Sequence, residues 1–215
     1  MNENVRFWSE IMGDTVVSQN KTCYEERFRW SVEACRKMED IGFLSEKYEL
    51  IDGEVINKMG QKPPHRIAIL YFLRWLTSFL DVLQVQTEAP ISVSDADKPY
   101  NGPEPDVAVT VQPTDFYRNR HPGGSDLLFV AEVADSSLKT DLSVKSLIYA
   151  RADIPEYWVL DLTALQLHIH SNPINGIYTE ITVYEENETV TMLTFPEWPV
   201  RVSELLPAAA NQDEY

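Results

Sequence analysis

Two short apolar runs, each accompanied by an acidic residue, constrain most strongly how this chain can fold. The first run covers 107–111 and follows Asp106, and the second covers 127–133 and contains Glu132. Short runs rich in Val, Leu and Phe are typical of buried strands. A carboxylate beside an interior strand is costly to desolvate unless a cation or a hydrogen-bond donor satisfies it. We therefore expect the fold to bring Asp106 and Glu132 together, where two carboxylates can share one divalent ion.

Helix and strand signals alternate along the rest of the chain. The pattern predicts helices over about 25–40, 65–83 and 141–152, a hairpin over 48–56, and strands over 84–88, 91–94, 156–161, 165–170, 177–184 and 188–194. Asp52-Gly53 supplies the tight turn of the hairpin, and Thr140 is a candidate cap for the third helix. A long helix, a mixed central sheet and a crossover helix indicate one α/β (α+β) domain.

The size of the chain is compatible with a single folded domain. Its 215 residues can bury a substantial core, and we expect an N-terminal extension over 1–24, a domain over 25–206 and a tail over 207–215.

Nothing resembles a signal peptide and no apolar run is long enough to cross a bilayer, so a cytoplasmic protein with no membrane partner is expected. Cys23 and Cys35 form no zinc pattern and are expected to be reduced.

The charge of the chain argues against one class of function. A net charge of −16 disfavours a broad phosphate-binding surface and tight, non-specific binding to DNA. A local basic patch or bridging metal ions can offset this repulsion. No glycine-rich phosphate loop or nucleotide-binding signature is present, which disfavours chemistry on other phosphate esters.

Several motifs, in the same order, resemble the Uma-two family of restriction-endonuclease-like proteins, within the PD-(D/E)XK nuclease superfamily. They are Tyr48-Glu49-Leu50-Ile51-Asp52-Gly53-Glu54, Pro103-Glu104-Pro105-Asp106, Glu132-Val133-Ala134-Asp135-Ser136-Ser137-Leu138, Asp141 with Lys145 and Tyr149-Ala150, and Ile154-Pro155-Glu156-Tyr157-Trp158. The resemblance covers residues 25–206 and is specific as a combination. It implies a mixed central sheet flanked by helices and a nuclease site that depends on Mg²⁺ (or Mn²⁺), and it makes a homodimer reasonable. It implies no established substrate, and DNA is the expected partner.

The resemblance assigns roles to the acidic residues and to one lysine. Asp106 matches the acid of the PD element, and Glu132 matches the acid of the second element. The lysine expected two positions after that second acid is replaced by Ala134. Lys145, on the following helix, resembles a migrated replacement, so its catalytic role is less secure than the metal site.

Phosphodiester hydrolysis requires an activated water and neutralisation of charge on the phosphoryl oxygens. A Mg²⁺ held by the two carboxylates, with the backbone carbonyl of Val133 as a further hard ligand, would supply both. The lysine would orient the water or stabilise the developing charge. By resemblance, Glu54 is an additional N-terminal acid that would bind a second ion or position a water. His65, which opens the long helix, would contact a phosphate or relay a proton.

Each of these residues also has a purely structural interpretation. Asp106 follows a proline and can belong to a turn. Glu132 and Lys145 can form a buried ion pair without catalysis. Glu54 can be an exposed hairpin residue, and His65 can simply open a helix.

The remaining polar residues and the function as a whole also leave alternatives. We expect capping and turn roles for four polar residues, Asp135, Ser136, Ser137 and Asp141. Alternation along their strand places His168 and His170 on a solvent-facing side.

The leading hypothesis is an endonuclease that hydrolyses DNA in the presence of Mg²⁺. The alternative is a catalytically inactive protein that keeps the nuclease fold and acts as a protein-binding or regulatory module, which the acidic charge and the displaced lysine favour.

Overall fold

The N-terminal part of the fold consists of two helices separated by a hairpin. In the computed structural model, which describes residues 28–44, 48–57 and 62–208, these elements are helix α1 (Val32–Asp40), strands β1 (Tyr48–Ile51) and β2 (Glu54–Asn57), and helix α2 (Pro63–Leu76). Asp52 and Gly53 have positive φ angles of 50° and 77°. A two-residue turn with both φ angles positive is the one that Asp-Gly favours, so the predicted hairpin is confirmed.

A six-stranded mixed sheet forms the centre of the domain. Its strands are β3 (Val85–Thr87), β4 (Val107–Thr110), β5 (Leu127–Ala134), β6 (Glu156–Asp161), β7 (Gln166–Ile174) and β8 (Ile177–Glu185), and they lie side by side in this order. β5 and β6 run parallel, and the other neighbours are antiparallel. The predicted α/β (α+β) class, with a mixed central sheet flanked by helices, is confirmed.

A helical crossover connects the parallel strands β5 and β6, as parallel pairing requires. It comprises α3 (Leu138–Thr140), a π-helical turn (Asp141–Lys145) and α4 (Ser146–Arg151). In the π turn Ser146 N–H donates to the carbonyl of Asp141, five residues earlier. The helical segment starts before the predicted residue 141, and Thr140 lies inside it without a side-chain capping bond. The predicted cap is therefore wrong.

Alternation along β4 and β5 divides the core into two layers. One layer joins these strands to α2 through Phe72, Leu76, Val107, Val109, Phe129, Ala131 and Val133. The other joins them to α4 through Ala108, Val130, Ala134, Ile148 and Tyr149. Since neighbouring side chains of a strand point to opposite faces, Glu132 lies on the α4 face, in line with Val130 and Ala134.

Helix α2 ends seven residues earlier than the predicted boundary at residue 83. The Thr77 hydroxyl donates to the carbonyl of Leu73 at 2.7 Å, and the Ser78 hydroxyl donates to that of Trp75 at 2.6 Å. Such local side-chain bonds compete with continuation of the helix. A short 3₁₀ turn (Val82–Gln84) then leads into β3.

The other boundaries differ mainly at the edges of the fold. No strand forms at 91–94, where the described chain makes one isolated bridge between Ser92 and Gly123. The predicted strand over 188–194 is reduced to β9 (Thr189–Val190), which pairs with β10 (Val200–Arg201) ahead of helix α5 (Val202–Leu205). The predicted extension over 1–24 and most of the tail over 207–215 lie outside the described residues. Among the described helices, none is both long and apolar enough to cross a membrane.

His170 is buried rather than solvent-facing, which corrects the prediction made from alternation. Its side chain is only 2% exposed, and its Nδ1 lies 3.1 Å from the Ser146 hydroxyl on α4. Its ring packs against those of Tyr157 and Tyr178 at 5.5 and 5.8 Å between centroids. Burial, with a smaller contribution from His168, lowers the pKa of His170 to about 4.

The lowered pKa of His170 predicts acid-sensitive stability. The unfolded chain takes up the proton near pH 6.5 and the folded chain near pH 4, so stability is lost as the pH falls through this window. In the wild type, His170 is expected to lower the free energy of unfolding by about 2 to 3 kcal/mol over this pH range, and we expect His170→Gln to remove that decrease. Urea unfolding of both proteins at pH 7.5, 5.5 and 4.0 tests this; parallel stability curves for the two proteins would contradict it.

Candidate active site

The start of β4 lies beside the end of β5, and this places the two predicted acids next to each other. Val107 is paired with Ala131 in an antiparallel register, and one further step along that register puts Asp106 opposite Glu132. The Oδ2 atom of Asp106 accepts a hydrogen bond from Val133 N–H at 2.7 Å. The structure thus brings together the residues that the sequence pattern singled out.

Asp106 is also bound by the first turn of α2. His65 Nε2 lies 3.1 Å from Asp106 Oδ2, and both side chains are largely buried, with exposures of 16% and 13%. Burial opposes a charge on His65, but the hydrogen bond and the negative charge of Asp106 outweigh it, so the pKa of His65 is raised. The Asp106 carboxylate thus favours the protonated form of His65.

Glu132 is held from the opposite side by the crossover helix. Its Oε1 atom accepts hydrogen bonds from Lys145 Nζ at 3.0 Å and from the Tyr149 hydroxyl at 2.7 Å. Burial raises the pKa of Glu132 well above its usual value; Lys145 opposes this rise and the charge of Asp106 adds to it. Glu132 is thus a carboxylate that needs positive charge nearby in order to stay ionised.

Lys145 contacts three carboxylates at once. Its Nζ lies 3.0 Å from Glu132 Oε1, 3.0 Å from Glu49 Oε2 and 3.6 Å from Asp141 Oδ1. Burial disfavours its charge, but the three acids outweigh burial and raise the pKa of Lys145. The buried ion pair between Lys145 and Glu132, one of the two interpretations open from the sequence, is present in the structure.

Glu49 and Asp141 are members of this cluster that sequence reasoning did not select. Glu49 lies on β1, and the hairpin docks against the segment before β4, where Gly102 N–H donates to the carbonyl of Leu50 at 2.9 Å. Glu49 Oε1 also accepts a hydrogen bond from Glu104 N–H at 3.0 Å. Asp141 was expected to be a turn or capping residue, although its spacing of four residues from Lys145 is a usable signal for pairing on one helical face.

The structure does not bring Glu54 into the cluster. Glu54 is exposed on the outer strand β2, opposite Ile51. Among the described residues, it is absent from the hydrogen bonds and ion pairs of Asp106, Glu132 and Lys145. The acid that the hairpin contributes is Glu49 from the inner strand, and the proposed role of Glu54 stays a prediction.

The oxygen atoms at this site fit a hard divalent cation. The hydrogen bonds to Asp106 and Glu132 from the described residues all go to Oδ2 and Oε1, which leaves Oδ1 and Oε2 for another partner. Val133 N–H points to Asp106, and the carbonyl of the same residue in an extended strand points to the same side. Carboxylate and carbonyl oxygens are the ligands that Mg²⁺ prefers. Because Mg²⁺ usually keeps several bound waters, two carboxylates and one carbonyl are enough to hold it.

The charge balance points the same way. Four carboxyl groups, from Glu49, Asp106, Glu132 and Asp141, face Lys145 and His65. Burial raises the pKa of Asp141, and the neighbouring Lys145 and Ser137 oppose that rise. Within the described part of the chain, no three side chains of His, Cys, Asp or Glu alone form a metal-binding group. A cation here would therefore depend on the backbone carbonyl and on waters to complete its ligands.

Comparison with known proteins identifies the family. A sequence model described as "Uma2: Putative restriction endonuclease" matches residues 35–203, whereas no curated protein matches the sequence significantly. The fold is similar to the crystal structure of "a putative nuclease belonging to DUF820" from Anabaena variabilis, with a TM-score of 0.58 and 16% identity over 78% of this chain and 96% of the other. At that identity the structural likeness shows the fold alone. The family match spans most of the chain, including every residue of the cluster around Lys145, so the protein belongs to the Uma2 family.

Proposed function

We propose that this protein is an endonuclease that hydrolyses DNA phosphodiester bonds with Mg²⁺ or Mn²⁺ bound at Asp106 and Glu132. The observation that carries the proposal is the juxtaposition of these two carboxylates at the adjoining ends of β4 and β5, each with one oxygen held by protein donors. The family description "Putative restriction endonuclease" and the description of the Anabaena variabilis protein as "a putative nuclease" support the same reaction.

The metal would be held by Asp106, Glu132 and the carbonyl of Val133. When bound, it would polarise a phosphoryl oxygen and lower the pKa of a coordinated water. The Asp106 carboxylate is fixed in orientation by two donors, Val133 N–H and His65 Nε2. In this proposal His65 also contacts the phosphate group of the substrate, and the adjacent Asp106 carboxylate favours its protonated form.

Lys145 acts in this proposal as a positioning residue. Its side chain is only 7% exposed, and its ammonium group is surrounded by carboxylates. Together with the Tyr149 hydroxyl, it holds Glu132 Oε1 and leaves Oε2 for the metal. It also offsets the repulsion between the acids, which makes their convergence in a buried position possible.

The test uses the wild-type protein with plasmid and linear DNA, in Mg²⁺, Mn²⁺ or EDTA. We expect cleavage only when a divalent metal is present. Because a ligand that binds only the folded state stabilises it, a metal at 100 times its Kd is expected to add about 2.7 kcal/mol and raise Tm.

Two results would contradict the proposal. Cleavage of equal rate in EDTA would exclude the metal site from the reaction. The absence of both cleavage and a metal-dependent rise in Tm would instead favour the inactive, protein-binding alternative. The cytoplasmic location and the homodimer stay predictions, which fractionation and sedimentation of the purified protein can examine.

A further inference from the structure

A surface cavity beside β3 is lined by two arginines of this acidic chain. The cavity has a volume of about 390 Å³ and is lined by β3, by the residues after it and by the segment 114–122. Arg118, Arg120 and His121 contribute to its wall. These three residues lie within four consecutive positions of a chain whose net charge is −16. We refer to this cavity as the Arg118 pocket.

The two arginines of the pocket differ in how their charge is balanced. Arg120 forms a two-pronged ion pair with Asp126, in which its second terminal nitrogen lies 2.9 Å from Oδ1. Arg118 makes no ion pair with a carboxylate of the described residues, and its Nε donates to the carbonyl of Asp115 at 3.1 Å. The two terminal nitrogens of Arg118 therefore remain for an anion, and a guanidinium fork matches two oxygens of a phosphate.

The wall of the pocket is preformed. Ser92 N–H donates to the carbonyl of Pro122 at 2.8 Å, and the Ser92 hydroxyl donates to that of His121 at 3.3 Å. Gly123 approaches this segment so closely that a Cβ there would lie 2.3 Å from the carbonyl oxygen of Ser92. Since the loop is already ordered by these contacts, binding an anion would cost little additional conformational entropy.

The Arg118 pocket adjoins the proposed metal site through β3. Thr87 lines the pocket and is paired with Val107. The next residue, Glu88, donates its N–H to the carbonyl of Asp106 at 3.2 Å. Ala89, which follows, lines the pocket again. Thr87 and Ala89 thus flank the residue that contacts the Asp106 backbone, so the pocket borders β3, the neighbour of the strand that follows Asp106.

We propose that the Arg118 pocket binds a backbone phosphate of the substrate DNA, one that flanks the phosphate to be cleaved. That the phosphate belongs to DNA rests on the proposed endonuclease function. That the pocket binds a phosphate at all rests only on the residues of the pocket. Arg118 supplies the bidentate contact, and the Arg120–Asp126 pair fixes the loop that carries it. Such a contact gives the acidic protein a local attraction for DNA that is independent of base sequence.

The test measures binding of a fluorescent DNA oligonucleotide by anisotropy, at several salt concentrations, in EDTA and in Ca²⁺. A single phosphate contact contributes slightly less than one to the slope of log affinity against log salt, so Arg118→Gln is expected to lower that slope by about one and to weaken binding about tenfold. Arg36→Gln is the matched control, because Arg36 is an exposed arginine of α1 outside the pocket. This control is expected to bind DNA like the wild type.

The outcomes separate this inference from the proposed reaction. If the wild type cleaves DNA but Arg118→Gln keeps the wild-type affinity and salt slope, the pocket assignment is wrong and the endonuclease proposal stands. If Arg118→Gln shows the expected loss but no metal supports cleavage, the reaction is wrong and the pocket stands. If the wild type binds DNA neither in EDTA nor in Ca²⁺, the proposal that the pocket binds a DNA phosphate is wrong. Inorganic phosphate and unlabelled oligonucleotide can each be added to displace the fluorescent oligonucleotide. If both displace it equally well at the same concentration of phosphate groups, the ligand of the pocket is free phosphate, and the assignment of the pocket to DNA is wrong.

Discussion

Replacing Asp106 by asparagine is expected to slow metal-dependent DNA cleavage by at least about 10³-fold, because several kcal/mol of charge stabilisation by the metal would be lost. Asparagine keeps a side-chain oxygen for the hydrogen bond from Val133 N–H, which is 2.7 Å long in the wild type. It removes the negative charge that would bind the cation and that pairs with His65. The variant is therefore expected to fold normally but to bind the metal weakly.

Single-turnover cleavage rates and metal-dependent Tm shifts provide the measurement. Asp153→Asn is a suitable control, because Asp153 is exposed and has a φ of 55°, a conformation that asparagine tolerates well. This control should cleave DNA at the wild-type rate. An Asp106→Asn protein that stays within tenfold of the wild-type rate would show that the reaction, if present, occurs elsewhere.

Replacing Lys145 by methionine is expected to lower the free energy of unfolding by about 3 to 5 kcal/mol at neutral pH, as when one partner of a buried ion pair is removed. Methionine preserves most of the apolar stem, so the change mainly removes charge. Without Lys145, the acids Glu49, Glu132 and Asp141 lose the ammonium group that they share. Part of the loss is expected to be recovered as the pH falls, because the remaining carboxyls can then be protonated.

Urea denaturation at pH 7.5 and pH 5 tests the effect of Lys145→Met. Lys98→Met is the matched control, since Lys98 forms an exposed pair with Asp95 at 2.6 Å and such pairs contribute about 0 to 1 kcal/mol. If Lys145→Met lowers the free energy of unfolding by less than about 1 kcal/mol, the effect is no larger than that of an exposed ion pair. Such a result would mean that water reaches the cluster and screens its charges.

The sequence was sufficient to locate the central acids and to predict the class of fold. The runs that follow Asp106 and surround Glu132 are apolar enough to predict interior strands, and the structure buries both. Their antiparallel register then brings the two acids together. The crossover helix, predicted from the pattern of the chain, carries Lys145, which is 13 residues from Glu132 in the chain but 3.0 Å away in space.

Other members of the site could not be predicted because their burial depends on tertiary docking. Glu49 lies between Tyr48 and Leu50 in a short strand, and it is buried where the hairpin docks against the segment before β4. The same limit applies to His170. Alternation gives the period of a strand but does not say whether the second face is covered, and here α4 covers it.

The π-helical turn at Asp141–Lys145 has a consequence for the tolerance of this chain to deletions. Each residue of an α-helix advances the direction of its side chain by about 100°, and the wider turn accommodates an additional residue between the start of the crossover and α4. Removing one residue from the turn would let it close as an ordinary α-helix and keep the faces before and after it nearly in register, but it would change the spacing between Asp141 and Lys145. A single-residue deletion there is therefore expected to leave the packing of α4 on the sheet largely intact and to disturb the ion pairs of Lys145.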